Sequence, residues 1–285
     1  MLTTLREILG PARAASYAVP AFDCIEDVMV RTILETAEAR RAPVILMCLV
    51  CDLEGNGWRY VPGLVRAVGD HHRVPVALHL DHADNLDDIR RAVDGGFTSV
   101  MIDGSMLPFA GNVKLTRAAV EIAQPHGVSV EAELGYVGGM DLEAKGSRES
   151  VLTEPDEVAR FVAETGVDAL AVSIGTAHGV YESLPTLNIA RLKELHAASH
   201  VPLVLHGGSG TPADQIRAAV RHGICKLNLY ADCRVAMCRG LKEVAAATQR
   251  PDPLPRQMFA PIAAALAEVV NEKINLLGAG DRVQP

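Results

Sequence analysis

Eight short apolar runs recur along this chain at intervals of about 25 to 35 residues, and helical patterns fill the stretches between them. The runs are Tyr17–Phe22, Pro43–Val50, Val74–Leu80, Ser99–Ile102, Val128–Leu134, Ala169–Ile174, Pro202–Leu205 and Ile224–Leu229. Strand and helix in alternation is the signature of βα units on a parallel sheet. Eight such units without a break in composition predict the α/β class and a closed (β/α)8 TIM barrel with extra C-terminal helices. The alternative is an open doubly wound sheet, which needs strands on both sides of a switch point. The 285 residues suit one barrel domain spanning 1–285, since such a barrel takes about 250. Parallel strands buried on both faces require aliphatic side chains, and a hydrophobic fraction of 49% with only 4% aromatic supplies them.

Helices are predicted over Glu26–Arg41, Leu86–Asp94, Asn112–Gln124, Pro155–Thr165 and Pro212–His222. Asn85 caps the second of these, and Gly95-Gly96 ends it. Beyond Ala231 two helical patterns are split by the prolines of 251–255, and the second, Pro261–Ile274, is expected on the outside of the barrel or against another subunit. The start of the chain is charged and runs into Gly10-Pro11, without the apolar core of a signal peptide. No apolar run approaches the roughly 18 residues of a membrane span. With a net charge of −8, neither nucleic acid nor a membrane is an expected partner, and a cytoplasmic location is the expectation. The six cysteines show no framework spacing and are expected as reduced thiols, including the Cys48–Cys51 pair at a strand end.

In such folds the site is built at the carboxyl ends of the strands. His82, His178 and His206 each stand just past an apolar run. Three neutral imidazoles that converge at strand ends can hold one divalent ion and leave a coordination position open. Asp81 is the candidate general acid or base, with a pKa expected to rise through partial desolvation; the alternative is that it orients a ligand imidazole. Adjacent strand residues point to opposite faces, so Asp81 or His82 must turn where the strand ends. Asp103 also sits at a strand end, and the spacing of Glu131 and Glu133 puts both on one face. Inside a barrel two glutamates need a compensating cation or lysine, which a second metal or a hydrogen-bonded network would answer equally well. The long glycine-rich stretch 135–150 is either a lid or a surface insertion. His206-Gly207-Gly208-Ser209-Gly210 leads into a helix, the arrangement that holds phosphate in many barrels, and His178-Gly179 and Asn228 could complete it.

Taken together, Tyr17–Phe22, Leu80-Asp81-His82, Met101–Ser105, Glu131–Gly135, Gly175–Gly179, His206–Gly210 and Asn271–Asn275 resemble the class II, zinc-dependent ketose-bisphosphate aldolases of the fructose- and tagatose-bisphosphate types. The resemblance covers nearly the whole chain. It implies catalytic zinc on His82, His178 and His206, with Asp81 as acid/base. It further implies a second divalent metal or a monovalent cation, with Asp103 and Glu133 at the second-metal positions. Gly179, Gly207, Ser209 and Asn228 match positions that contact the phosphorylated ketone, and Asp141 lies near the mobile-loop acid. A homodimer or homotetramer is implied as well.

Several positions depart from the family pattern. Asp23 replaces an asparagine, and 47–51 is bulkier and more apolar at the end of strand two. Tyr230 and Ala231 replace a small or acidic residue and a threonine, and the loop acid pair is reduced to Met140-Asp141. The leading expectation is reversible aldol cleavage of a ketose (bis)phosphate to a dihydroxyacetone-phosphate-like ketone and an aldehyde. A second is the same chemistry on an unphosphorylated or differently substituted ketose, given Asp23, Tyr230 and Ala231. A non-catalytic barrel subunit is the third.

Overall fold

The computed structural model describes residues 2–138, 150–179 and 184–284. Eight strands, β1 (Val19–Asp23), β2 (Val44–Leu49), β3 (Val76–Ala83), β4 (Ser99–Ile102), β5 (Ser129–Leu134), β6 (Ala169–Val172), β7 (Leu203–Leu205) and β8 (Ile224–Leu229), pair in parallel and in sequence order. β8 returns to β1, with Ala21 opposite Asn228, so the sheet is a closed barrel and the open alternative is excluded. The expected runs overlap the strands everywhere. The largest difference is at β3, which continues through Asp81 and His82 to Ala83, where the sequence had suggested an end at Leu80.

Helices cover the outside: α1 (Leu5–Ala15), α2 (Asp27–Ala39), α3 (Gly57–Gly69), α4 (Leu86–Gly95), α5 (Phe109–Ala123), α6 (Pro155–Thr165), α7 (Ile189–Ala198), α8 (Ala213–Arg221), α9 (Ala231–Ala247) and α10 (Pro255–Leu277). No helix among the described residues is long and apolar enough to cross a membrane. All six cysteines are free thiols, four of them buried.

One helix was not anticipated and another begins earlier than expected. α1 runs through both Gly10 and Pro11. A capping box between Thr4 and Glu7 and a buried face of Leu5, Ile8, Leu9 and Ala12 outweigh the backbone hydrogen bond lost at Pro11. α1 packs on β1, β3, β5 and β8, and Thr3 donates its N–H to Val76 O at the start of β3. It therefore plugs the amino end of the barrel and leaves the carboxyl end for the site. α10 begins at Pro255, ahead of the expected Pro261, which it carries inside.

α10 packs on α9 and α2, outside the barrel as expected. α9 lies tight against α10 at Gly240, where an added Cβ would stand 2.5 Å from Ile262 Cα. Backbone atoms cannot yield as a side chain does. Gly240→Ala is therefore expected to destabilise the fold by about 1–3 kcal/mol, read as a lower urea midpoint. An unchanged midpoint would mean that the two helices separate without cost.

Candidate metal centre

His82 is the point on which the site turns. Its φ is +48°, a left-handed conformation uncommon for a residue other than glycine, and the β3–β4 register shifts between Leu80 and Ala83. That irregularity breaks the alternation of faces. Asp81 and His82, which would point to opposite sides of a regular strand, both face the carboxyl-end interior. His178 follows β6 and is anchored by its N–H to Gly138 O at 2.7 Å. His206 follows β7 directly. The ring centroids of His82 lie 5.1 Å from His178 and 4.7 Å from His206, and those of His178 and His206 are 5.9 Å apart. One ligand atom from each falls within 4.8 Å of the other two. The three residues expected to converge do so, and His82 and His178 retain 6% and 5% exposure.

Two carboxylates fix which nitrogens face the centre. Asp103 Oδ2 accepts from His82 Nδ1 at 3.1 Å, and Asp103 Oδ1 accepts from both the N–H and the hydroxyl of Ser105. Burial raises the Asp103 carboxyl, but His82 and the Ser105 donors outweigh it and hold it well below the usual carboxylate range. Glu131 Oε1 pairs with His206 Nε2 at 3.0 Å. His82 Nε2 is consequently left buried without a hydrogen-bond partner among the described residues, and His206 Nδ1 has Glu133 Oε2 3.2 Å from it. An orphaned imidazole nitrogen at the meeting point of three rings is the expected signature of a metal cradle, so the donor set fits a divalent ion.

Asp103 and Glu133 stand differently from the second-metal expectation. Both oxygens of Asp103 are occupied. Glu133 accepts the Val137 N–H on Oε1 and places Oε2 3.2 Å from His206 Nδ1. The second group of metal-capable donors among the described residues is His79, Asp81 and Glu131.

Asp81 is fully buried, with Oδ2 accepting from Asn228 Nδ2 at 2.8 Å and Oδ1 without a hydrogen-bond partner among the described residues. Burial pushes its carboxyl up, as the sequence reading expected, but His82, Lys226, His79 and His206 more than reverse that and hold it well below the usual range. The expected rise is therefore corrected. Asp81 is an ionised carboxylate, with Oδ1 3.3 Å from His79 Nε2 and 3.9 Å from Lys226 Nζ. The compensating lysine anticipated for the paired glutamates is Lys226, 0% exposed, with Nζ 2.8 Å from Glu131 Oε2. Burial would raise the Glu131 carboxyl, but Lys226 and His206 bring it down to about 2. His79, not singled out in the sequence, bridges Ser99 Oγ at 3.0 Å and Lys226 Nζ at 3.2 Å. Its signal was its place two residues before Asp81, on the same face.

The glycine loop has a packing reason beside any binding one. Gly207 has φ +68°, and a Cβ there would collide with Ala177 O in the segment carrying His178. Gly208 donates its N–H to Asn228 O at 3.2 Å, and a Cβ there would meet Leu227 Cγ at 2.6 Å. Its amide is thus committed to the protein, which corrects the expectation that it faces a phosphate. Ser209 Oγ accepts the Asp232 N–H. Gly179 follows His178 with φ +94°. Among the positions that departed from the family pattern, Tyr230 donates to Asp52 Oδ1 at 3.2 Å, with the Arg234 guanidinium 5.0 Å from its ring centre, and Asp23 is buried at 2% exposure at the end of β1. Asp141 and Glu143 lie outside the described residues.

A family model for class II fructose-bisphosphate aldolase matches residues 3–282. The chain belongs to the class II fructose-bisphosphate aldolase family. Among solved structures, this class II aldolase is similar to the YdjI aldolase from Escherichia coli K12, with 32% identity, a TM-score of 0.89 and all of both chains covered. A fructose-bisphosphate aldolase from Campylobacter jejuni shares the fold at 22% identity and TM-score 0.83, over 98% of this chain and 96% of the other. Members of the class II aldolase family are lyases, and the family is generally metal-dependent.

Proposed function

We propose that this class II aldolase reversibly cleaves a ketose phosphate into a dihydroxyacetone-phosphate-like ketone and an aldehyde, with zinc held by His82, His178 and His206. The observation that carries the reading is the convergence of the three rings, with His82 Nε2 buried and without a hydrogen-bond partner among the described residues. Three uncharged nitrogen donors suit zinc, and when bound such an ion supplies Lewis acidity at the substrate's carbonyl oxygen. Asp81, gripped through Oδ2 by Asn228 and with Oδ1 3.3 Å from His79 Nε2, is the proposed base for the hydroxyl beside the breaking carbon–carbon bond. Asp141, with Glu143 as the backup, is the proposed source of the proton returned to the ketone half. Gly179, Gly207, Ser209 and Asn228 are the proposed contacts to the phosphorylated ketone.

Lys226 is not a Schiff-base nucleophile in this scheme, because its ammonium is buried between Glu131 and His79. Metal-loaded enzyme should therefore lose turnover to a chelator, regain it with zinc, and resist borohydride in the presence of substrate. Borohydride inactivation would overturn the mechanism.

Asp103→Ala should weaken zinc binding by about 10–100-fold in chelator competition, because His82 loses the acceptor that fixes its tautomer. Unchanged affinity would remove Asp103 from the centre.

A second reading concerns the far end of the substrate. Asp23 and Asp52 add carboxylates near Tyr230, which feels the charge of both. A phosphate about 4 Å from one such carboxylate would be repelled by roughly 4 kcal/mol at an effective dielectric near 20. That favours an aldehyde half carrying hydroxyls in place of a second phosphate. A cleavage screen of metal-loaded enzyme across ketose bisphosphates, ketose monophosphates and free ketoses decides the matter. Best turnover of a bisphosphate would reject the second reading, and no turnover of any phosphorylated ketose would reject the first.

A further inference from the structure

Directly beside the histidine trio the barrel holds a second set of donors. His79, Asp81 and Glu131 each bring a ligand atom within 4.8 Å of the others, and all three side chains are fully buried. Two carboxylates and an imidazole shut away from water need a positive charge among them. Lys226 provides it from across the barrel. Its Nζ stands 2.8 Å from Glu131 Oε2, 3.2 Å from His79 Nε2 and 3.9 Å from Asp81 Oδ1. An ammonium has only protons to give, so His79 Nε2 accepts, and the ring is neutral with its Nδ1–H turned to Ser99 Oγ.

Two of these partners reach on to the proposed metal centre. Glu131 uses its other oxygen to hold His206 Nε2 at 3.0 Å, which turns Nδ1 to the trio. Asp81 is held between this group and Asn228, with Oδ1 on the lysine side. We propose that Lys226 is a positioning residue, a tethered cation that fills the second donor group and keeps Asp81 and His206 in working orientation. The donor group beside the trio then takes no second metal in the native protein. This inference rests on the reading of the trio as a metal centre.

Its test compares metal-stripped and zinc- or cobalt-loaded forms of the parent, of Lys226→Ala, and of the charge-neutral pair Lys226→Met/Glu131→Gln. Lys226→Ala is expected to bind one more equivalent of cobalt than the parent, and the added equivalent should vanish in Lys226→Ala/His79→Ala. Its kcat should fall by about 10–100-fold, the range typical of groups that orient metal ligands, with KM little changed and partial rescue by ammonium chloride. The neutral pair removes both buried charges together, so it is expected to fold even if the single variant does not. It should bind cobalt as the parent does and still lose kcat. Cobalt uptake by Lys226→Ala equal to the parent's, or parental kcat in the neutral pair, would overturn the proposal. A parent without metal-dependent cleavage would overturn the functional reading instead, while the cobalt stoichiometries would still decide what fills the second group.

Discussion

Asp81→Asn lowers kcat for aldol cleavage by about two to four orders of magnitude, the range for loss of a positioned general acid or base, while zinc content stays at the parental level. The expectation follows from how the two oxygens are used. Oδ2 is held by the Asn228 amide and Oδ1 has no hydrogen-bond partner among the described residues. An asparagine of the same shape keeps one carbonyl oxygen for Asn228 and puts an NH2 in place of Oδ1, which donates and cannot take up a proton. Asp81 is not one of the three histidines, so the metal stays. Turnover close to the parent's, with zinc bound, would place the base elsewhere. Loss of zinc together with activity would make Asp81 part of the cradle.

His82→Asn should have the other large effect, removing zinc and turnover together. The choice of asparagine is deliberate. Position 82 sits at φ +48°, and asparagine is among the few residues that take up that conformation readily, so the fold should survive. Its short side chain cannot carry a donor to where the imidazole Nε2 now stands. Removing one of three donors should weaken zinc by more than the roughly 10–100-fold that an outer partner costs. Excess zinc should then fail to restore parental kcat. Full recovery in millimolar zinc would show that the other two histidines suffice, and that the convergence of three rings is not what the reaction needs.

The sequence showed the architecture through the aliphatic runs, because strands buried on both faces of a barrel leave a continuous signal. It showed the trio because each histidine stands at or just past the end of such a run. The register shift at Asp81-His82 was visible only as a conflict, two inward-looking residues side by side in a strand of period two, and its resolution by a left-handed His82 needed coordinates. Long-range electrostatics were less legible. Burial alone predicts that the Asp81 carboxyl rises. What reverses the sign is His82 next door together with Lys226, 145 positions along the chain, and with His79 and His206. α1 was not anticipated; it carries Gly10-Pro11 inside, and the local cost of that pair is outweighed by packing on the amino end of the barrel. Gly207 and Gly208 read as an anion loop, yet their first requirement is space against Ala177, Leu227 and Asn228.

The most direct measurement is anomalous scattering at the zinc edge from crystals of the zinc-loaded protein. The account predicts one strong peak about 2.0–2.1 Å from His82 Nε2, His206 Nδ1 and a nitrogen of His178. A peak at His79, Asp81 and Glu131 in place of the trio, or no peak at all in protein that still cleaves ketoses, would contradict it.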